Sequence, residues 1–232
     1  MIISEKMKTN FSKAQDKYAQ CTALRACIQA VPNIGGPIDT LLIGKASETQ
    51  QNRIKDFLEE LSRQMESVEN IGANLENEAF GDLVLSIFER VIRTRSSLKR
   101  SRFARIITKQ VQEGNEWDEA ENAIRLLSGL EDIHIEVLSV ALSAPCLKGD
   151  SFEGLHMISI KPSKIYNEED GGPLALTKAL PKYGIAVLRM CTAELLAKGL
   201  LHDEGIGRWD MGAMEHFIPT ELAEWFVDWI VE

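Results

Sequence analysis

Apolar residues in the first half of the chain recur three and four positions apart, the spacing that lines one face of an α-helix. Phe11, Ala14, Tyr18, Cys21, Leu24 and Ile28 draw such a stripe and predict a helix over 4–30. The segment 31–37, Val-Pro-Asn-Ile-Gly-Gly-Pro, ends it, because two prolines and two glycines do not continue a helix. That segment lacks the Gly-Lys-Ser/Thr ending of a phosphate loop and reads as an interhelical turn. Ile54, Phe57, Leu58, Leu61 and Met65 predict a second helix over 47–68. Phe80, Leu83, Val84, Ile87, Phe88 and Val91 predict a third from Asn77, continuing past a kink at Ser96-Ser97 through Phe103, Ile106, Ile107 and Val111. Long helices joined by short connections make an antiparallel bundle.

Glu113-Gly114-Asn115 is the expected boundary, since Gly and Asn end helices. The reading is a helical bundle over 1–115 and a second domain over 116–232. In the second, 116–130 and 132–144 have amphipathic helical spacing. The stretch 147–172 differs in kind: Met157-Ile158-Ser159-Ile160 suits a short strand, and 167–172 is polar enough for an exposed loop. A short helix at 174–180, the turn Pro181-Lys182-Tyr183-Gly184 and a helix over 185–199 then give a helix-turn-helix order. Residues 200–202 and 215–218 pair as strands around 203–214, and 220–232 forms a closing helix with Leu222, Trp225, Phe226 and Trp229 on one face. The predicted fold class is mostly α, an N-terminal antiparallel helical bundle followed by an α+β domain with a small hairpin.

Three runs carry a family resemblance: Ile133-His134-Ile135-Glu136-Val137-Leu138, then Leu-Leu-Ala-Lys-Gly-Leu-Leu at 195–201, then Ile218-Pro219-Thr220-Glu221-Leu222-Ala223-Glu224-Trp225-Phe226. They resemble the winged-helix module of small bacterial proteins, some grouped with abortive-infection proteins, in which a helical bundle is joined to such an end. The resemblance covers 130–145 and 174–232. It departs from the family pattern at Leu222-Ala223, where a glycine is expected, and in the insert 147–172. It implies a winged-helix-like domain with 185–199 in the recognition-helix position and 203–214 as the wing. It also implies, as one function, a phage-defence effector whose bundle acts on membranes.

Charge changes this picture. The net charge of −9 divides unevenly: 1–115 holds 17 Lys+Arg against 14 Asp+Glu, and 116–232 holds 9 against 21, balances of +3 and −12. Lys182, Arg189, Lys198 and Arg208 are the side chains placed to contact DNA phosphates, but duplex affinity needs several such contacts and the surrounding charge opposes them. With Ile185, Leu188, Cys191, Leu195 and Leu196 as the core stripe, the outward face of 185–199 is mainly Ala186, Met190, Ala193 and Ala197. That face suits a protein surface, with Trp209 at the wing tip as an interface anchor. The expectation is a non-enzymatic interaction or regulatory protein acting through a homo-oligomer, a homodimer in the simplest case, or a protein partner; a DNA-binding transcriptional regulator is the alternative. A separate basic run, Arg90, Arg93, Arg95, Lys99, Arg100, Arg102, Arg105 and Lys109, has no acidic residue within it. It suits either an external anionic partner or docking on the chain's own acidic half.

Candidate chemistry is sparse. Cys21, Cys27, Cys146 and Cys191 form no C-x-x-C pair and are expected as small buried or half-buried side chains. His134, His156, His202 and His216 make no H-x-x-x-H arrangement; His202 and His216 alone would meet, across the hairpin, and two solvated histidines are the simpler reading. No nucleophile sits on a recognisable elbow. No catalytic, metal or cofactor-binding residue is therefore expected. No uncharged apolar run is long enough to span a bilayer, and 1–10 has no apolar stretch after its charges, so a cytoplasmic protein is expected.

Overall fold

The computed structural model describes residues 47–65, 78–114, 116–147, 154–162, 172–206 and 212–231. The helix expected over 4–30, its terminating turn and Cys21 and Cys27 lie outside them, as do Arg208 and Trp209. The chain divides into two units, Met1–Gly129 with Trp229–Glu232, and Leu130–Asp228.

In the first unit the described residues form a bundle of α1 (Glu48–Met65), α2 (Glu78–Arg93), α3 (Ser97–Glu113) and α4 (Trp117–Ser128). α1 lies against α2 and α3, and α4 packs on both α2 and α3. The predicted stripes are buried at Ile54, Phe57, Leu61 and Met65 on α1, at all six expected positions on α2, and at Phe103, Ile106, Ile107 and Val111 on α3, while Leu58 of the α1 stripe is half-buried. Phe57 meets Phe88 edge to face at 5.4 Å. The kink expected at Ser96-Ser97 is a full break. Ser96 is an N-cap whose Oγ accepts from the Lys99 amide at 3.0 Å. On the other side of the break, the Arg100 guanidinium donates to the carbonyls of Thr94 and Arg95 at 3.2 and 2.9 Å and pairs with Asp56 at 3.0 Å. One buried arginine thus satisfies two carbonyls of the linker between α2 and α3. α3 ends at Gly114, whose φ of 63° places it in the left-handed region that favours glycine.

The second unit contains α5 (Asp132–Ser143), β1 (Ile158–Ser159), β2 (Leu174–Ala175), α6 (Leu176–Ala179), α7 (Ile185–Ala197), β3 (Leu201–Asp203), β4 (His216–Pro219) and most of α8 (Glu221–Ile230). Its four strands form one mixed sheet in the order β2-β1-β4-β3. The expected hairpin is β3–β4, with Leu201, His202 and Asp203 opposite Pro219, Ile218 and Phe217. β4 also pairs antiparallel with β1, and β1 pairs parallel with β2. The core of this unit joins Val137, Leu138 and Ala141 of α5, Leu188, Cys191 and Leu195 of α7, and Ile158, Leu201 and Phe217 of the sheet.

Two details differ from the sequence reading. The segment expected as a helix over 174–180 begins as strand β2 and turns helical only over Leu176–Ala179. The buried face of α8 is Ala223, Phe226, Trp229 and Ile230, while Leu222 is exposed. Positions 223, 226 and 230 form a stripe as regular as 222, 226 and 229, and the small Ala223 permits a closer approach than leucine does. No helix among the described residues is long and apolar enough to cross a membrane.

Candidate functional site

The sequence places its candidate face on α7, and the surrounding fold holds that helix at several points. The turn before it is closed by Tyr183 N–H donating to the Leu180 carbonyl at 3.1 Å, and the Gly184 carbonyl accepts from the amides of Val187 and Leu188 to start the helix. Lys182 lies 2.8 Å from Glu136 of α5, and the Tyr183 hydroxyl donates to the same carboxylate at 3.2 Å. The hydrogen bond that Lys182 donates to Glu136 raises its ammonium above the ordinary range. One turn from the other end of α7, Glu194 reaches back to α5 and lies 2.7 Å from His134 Nε2. His134 Nδ1 accepts the Glu131 backbone N–H at 3.0 Å, which completes a reciprocal cap at the start of α5. With Nδ1 an acceptor, Nε2 carries the proton and donates it to Glu194. Helix α7 is therefore clamped to α5 by polar contacts near both ends, with Leu188, Cys191 and Leu195 buried between.

What α7 leaves outside is mostly apolar. Met190 is 55% exposed and Val187 41%, with Ala186 and Ala197 exposed beside them. Ala193, expected on this face, is half-buried, as is Lys198; Arg189 is exposed. Of the four side chains proposed for DNA contact, Lys182 is thus engaged by Glu136, Arg189 and Lys198 remain on or next to the helix, and Arg208 lies outside the described residues.

The loop between β3 and β4 is gathered at its base by one aspartate side chain. Asp203, 2% exposed, accepts the Gly205 amide on one oxygen at 2.9 Å and the Met214 amide on the other at 2.7 Å. The two ends of the loop are so close that a Cβ on Gly205 would stand 2.2 Å from the Gly212 carbonyl oxygen. Only glycine fits there. The signal in the sequence was Asp203-Glu204-Gly205, an aspartate two residues before a glycine at a strand end, the pattern of an Asx turn. Beside this neck Ile206 is 69% exposed.

The basic run is distributed through the first unit. Lys99, Arg100 and Lys109 are buried, Arg90, Arg102 and Arg105 half-buried, and Arg93 and Arg95 exposed. Arg90 donates to the Ser128 hydroxyl at 2.7 Å, Lys99 to the Ser128 carbonyl at 3.0 Å, and Lys109 lies 3.7 Å from Glu113 and 5.3 Å from the centre of the Trp229 ring. Much of this charge binds helix ends within its own unit.

His202 is exposed opposite Ile218, whereas His216 is buried opposite Ser159. Among the described residues no group of three His, Cys, Asp or Glu side chains is arranged to hold a metal ion. The buried Cys191 thiol is pushed up to about 12, first by burial and then by the Glu194 charge, so it stays protonated. Cys146, expected to be buried or half-buried, is exposed: it stands opposite His156 in an isolated antiparallel bridge, and alternation gives the buried face to the next residues, Leu147 and Met157. No protein-family model matches the chain, and no curated protein or solved structure matches it significantly.

Proposed function

We propose that the chain is a regulatory or interaction protein that works by self-association, and that its second unit is a winged-helix-like module whose recognition-helix position serves protein contact. The exposure of Met190 and Val187 on a helix clamped at both ends carries this reading. A rigid helix with large apolar side chains in water loses little conformational freedom when another surface covers it. Burying a fully exposed methionine or valine side chain contributes about 1.5–3 kcal/mol, of which about half is left to gain at Met190 and Val187, and Ala186 and Ala197 let a partner helix approach between them. Two copies meeting face to face around a twofold axis would bury each side chain in both chains, which doubles the gain from one small patch.

Light scattering across a micromolar concentration series tests the proposal. The wild-type chain is expected to reach dimer mass, and Met190→Glu or Ala193→Glu to remain monomeric with unchanged helical circular dichroism. A wild-type chain that is monomeric at high micromolar concentration refutes it. The exposed Arg189 favours one second reading, a DNA-binding regulator. A duplex gel shift at two salt concentrations separates the two, because phosphate contacts weaken steeply with salt and apolar burial does not.

A further inference from the structure

Helix α7 is apolar on two sides. Leu188, Cys191 and Leu195 face the core of its own unit, and Ala186, Met190, Ala193 and Ala197 form a second stripe on the opposite side, exposed except for the half-buried Ala193. A helix that is apolar all round is one that is covered all round. The intervals of the outer stripe, four, three and four, are those of the a and d positions of a heptad. In that register Ala186 and Ala193 take d, and Met190 and Ala197 take a. The two charged residues of α7 then fall on its two flanks, Arg189 at g and Glu194 at e, and both are exposed.

Both charges remain open to a partner. The Arg189 guanidinium makes no hydrogen bond or ion pair among the described residues. Glu194 gives Oε2 to His134 Nε2 at 2.7 Å, while its Oε1 meets no donor among the described residues. His134 therefore fixes the carboxylate without using it up. What these charges meet depends on the direction of the second copy. When two such helices pack side by side in the same direction, g of one lies beside the e that follows five residues on in the other. Arg189 of each copy then reaches Glu194 of the other, twice around the twofold axis. In the reverse direction each flank meets its own counterpart, so that arginine faces arginine and glutamate faces glutamate. Like charges set side by side destabilise by about as much as opposite charges stabilise.

We propose that a second copy of the chain docks on α7 in parallel, and that Arg189 and Glu194 are the residues that select this direction over the reverse one. The orientation rests on the self-association proposed above and adds to it the residues that give it specificity. The apolar stripe supplies the attraction, since exposed ion pairs contribute little each. The charges act by separating two arrangements that bury the same apolar side chains, favouring one and opposing the other. Ala186, Ala193 and Ala197 let the two backbones come close, which brings the flanking charges of one helix within reach of the other.

The test is sedimentation equilibrium of the full-length chain beside two charge reversals, Arg189→Glu and Glu194→Lys. In the parallel arrangement each reversal alone turns two attractive pairs into two repulsive ones and is expected to weaken the dimer about tenfold. In the reverse arrangement it merely exchanges one pair of like charges for another. Mixed in equal amounts, the two variants are expected to form a heterodimer of about wild-type affinity, because each flanking pair is again opposite in sign. Neither misfolding nor the loss of the His134 contact produces such a rescue. Direction is also read by cross-linking, since positions 186 and 197 lie about 16 Å apart along the helix. Under mild oxidation Ala186→Cys and Ala197→Cys are each expected to link to the same position of the second copy, and their mixture to give no link between 186 and 197, as located by peptide mass spectrometry. A wild-type chain that stays monomeric overturns the self-association and the orientation together. A wild-type dimer that Met190→Glu dissociates, but whose affinity the single reversals leave within twofold or whose cross-link joins 186 to 197, overturns the orientation alone.

Discussion

Asp203→Ala isolates the device that closes the β3–β4 loop. The native carboxylate is buried, 2% exposed, and accepts two backbone amides, Gly205 at 2.9 Å and Met214 at 2.7 Å. A hydrogen bond to a charged acceptor contributes about 1.5–3 kcal/mol, and a buried donor left without a partner costs about 1–3 kcal/mol. Against this, alanine removes a charge whose burial was itself unfavourable. With two amides involved and that relief subtracted, the expected loss is about 2–4 kcal/mol. Asp203→Asn retains one acceptor oxygen but turns an NH₂ toward the other amide, so it should fall between alanine and wild type. Urea denaturation followed by the circular dichroism of the full chain gives the energies. Amide exchange at Gly205 and Met214 reports whether the loss is local to the neck. An Asp203→Ala chain within about 0.5 kcal/mol of wild type, with both amides still protected, would show that neighbouring backbone closes the neck without the carboxylate.

Two further outcomes follow from the first unit. Glu60 accepts from Arg63, Gln64 and the Ser101 hydroxyl at 2.7 Å each, and the Arg63 hydrogen bond leads in holding its carboxyl at about 2 instead of 4.5. A depressed folded value means that the stabilisation is fully present above pH 4.5 and lost as pH falls toward 2; Glu60→Gln should therefore be less stable than wild type at pH 7 and converge with it near pH 2, as read by denaturation midpoints. Ser96→Ala removes the N-cap of α3 and should cost about 1 kcal/mol, measured by urea denaturation, with Ser96→Asp retaining most of it.

Helices of the first unit were legible in the sequence because burial of one face imposes a period, and the period survives without knowledge of the partner. Ile54, Phe57, Leu61 and Met65 announce their helix whichever neighbour covers them. The hairpin was legible from two apolar runs around a turn-rich segment, and its observed strands fall within about one residue of the expected ends. The pairing of β1 with β2 and β4 was not legible, since strands of two residues, Ile158–Ser159 and Leu174–Ala175, are too short to show alternation. The face of α8 was misjudged by one position because hydrophobicity ranks Leu222 above Ala223, whereas close packing can prefer the smaller side chain. Of the site, the outward Ala186 and Met190 were legible by subtraction from the core stripe. His134 with Glu194 was not, because neither spacing within one helix nor a motif brings such a pair together. Only tertiary pairing does.

Net charge was the weakest guide, for a reason specific to these residues. Eight cations in the run 90–109 count equally in a sum, yet Arg100 holds the carbonyls of the linker between α2 and α3, Lys99 and Arg90 meet Ser128, and Lys109 is held by Glu113 and the Trp229 ring. A cation already bonded to a carbonyl or carboxylate must break that contact before it can neutralise a phosphate, so its contribution to external binding is reduced by the energy of the internal one. The same holds for Lys182, committed to Glu136. On α7 itself this leaves Arg189 as the basic side chain in the open, surrounded by Ala186, Val187 and Met190. One arginine among apolar side chains gives a shallow salt dependence and small affinity for duplex DNA, while arginine and methionine are both enriched at protein interfaces relative to the rest of the surface. Local commitment of charge, more than its total, therefore supports the choice of a protein surface as the partner of this helix.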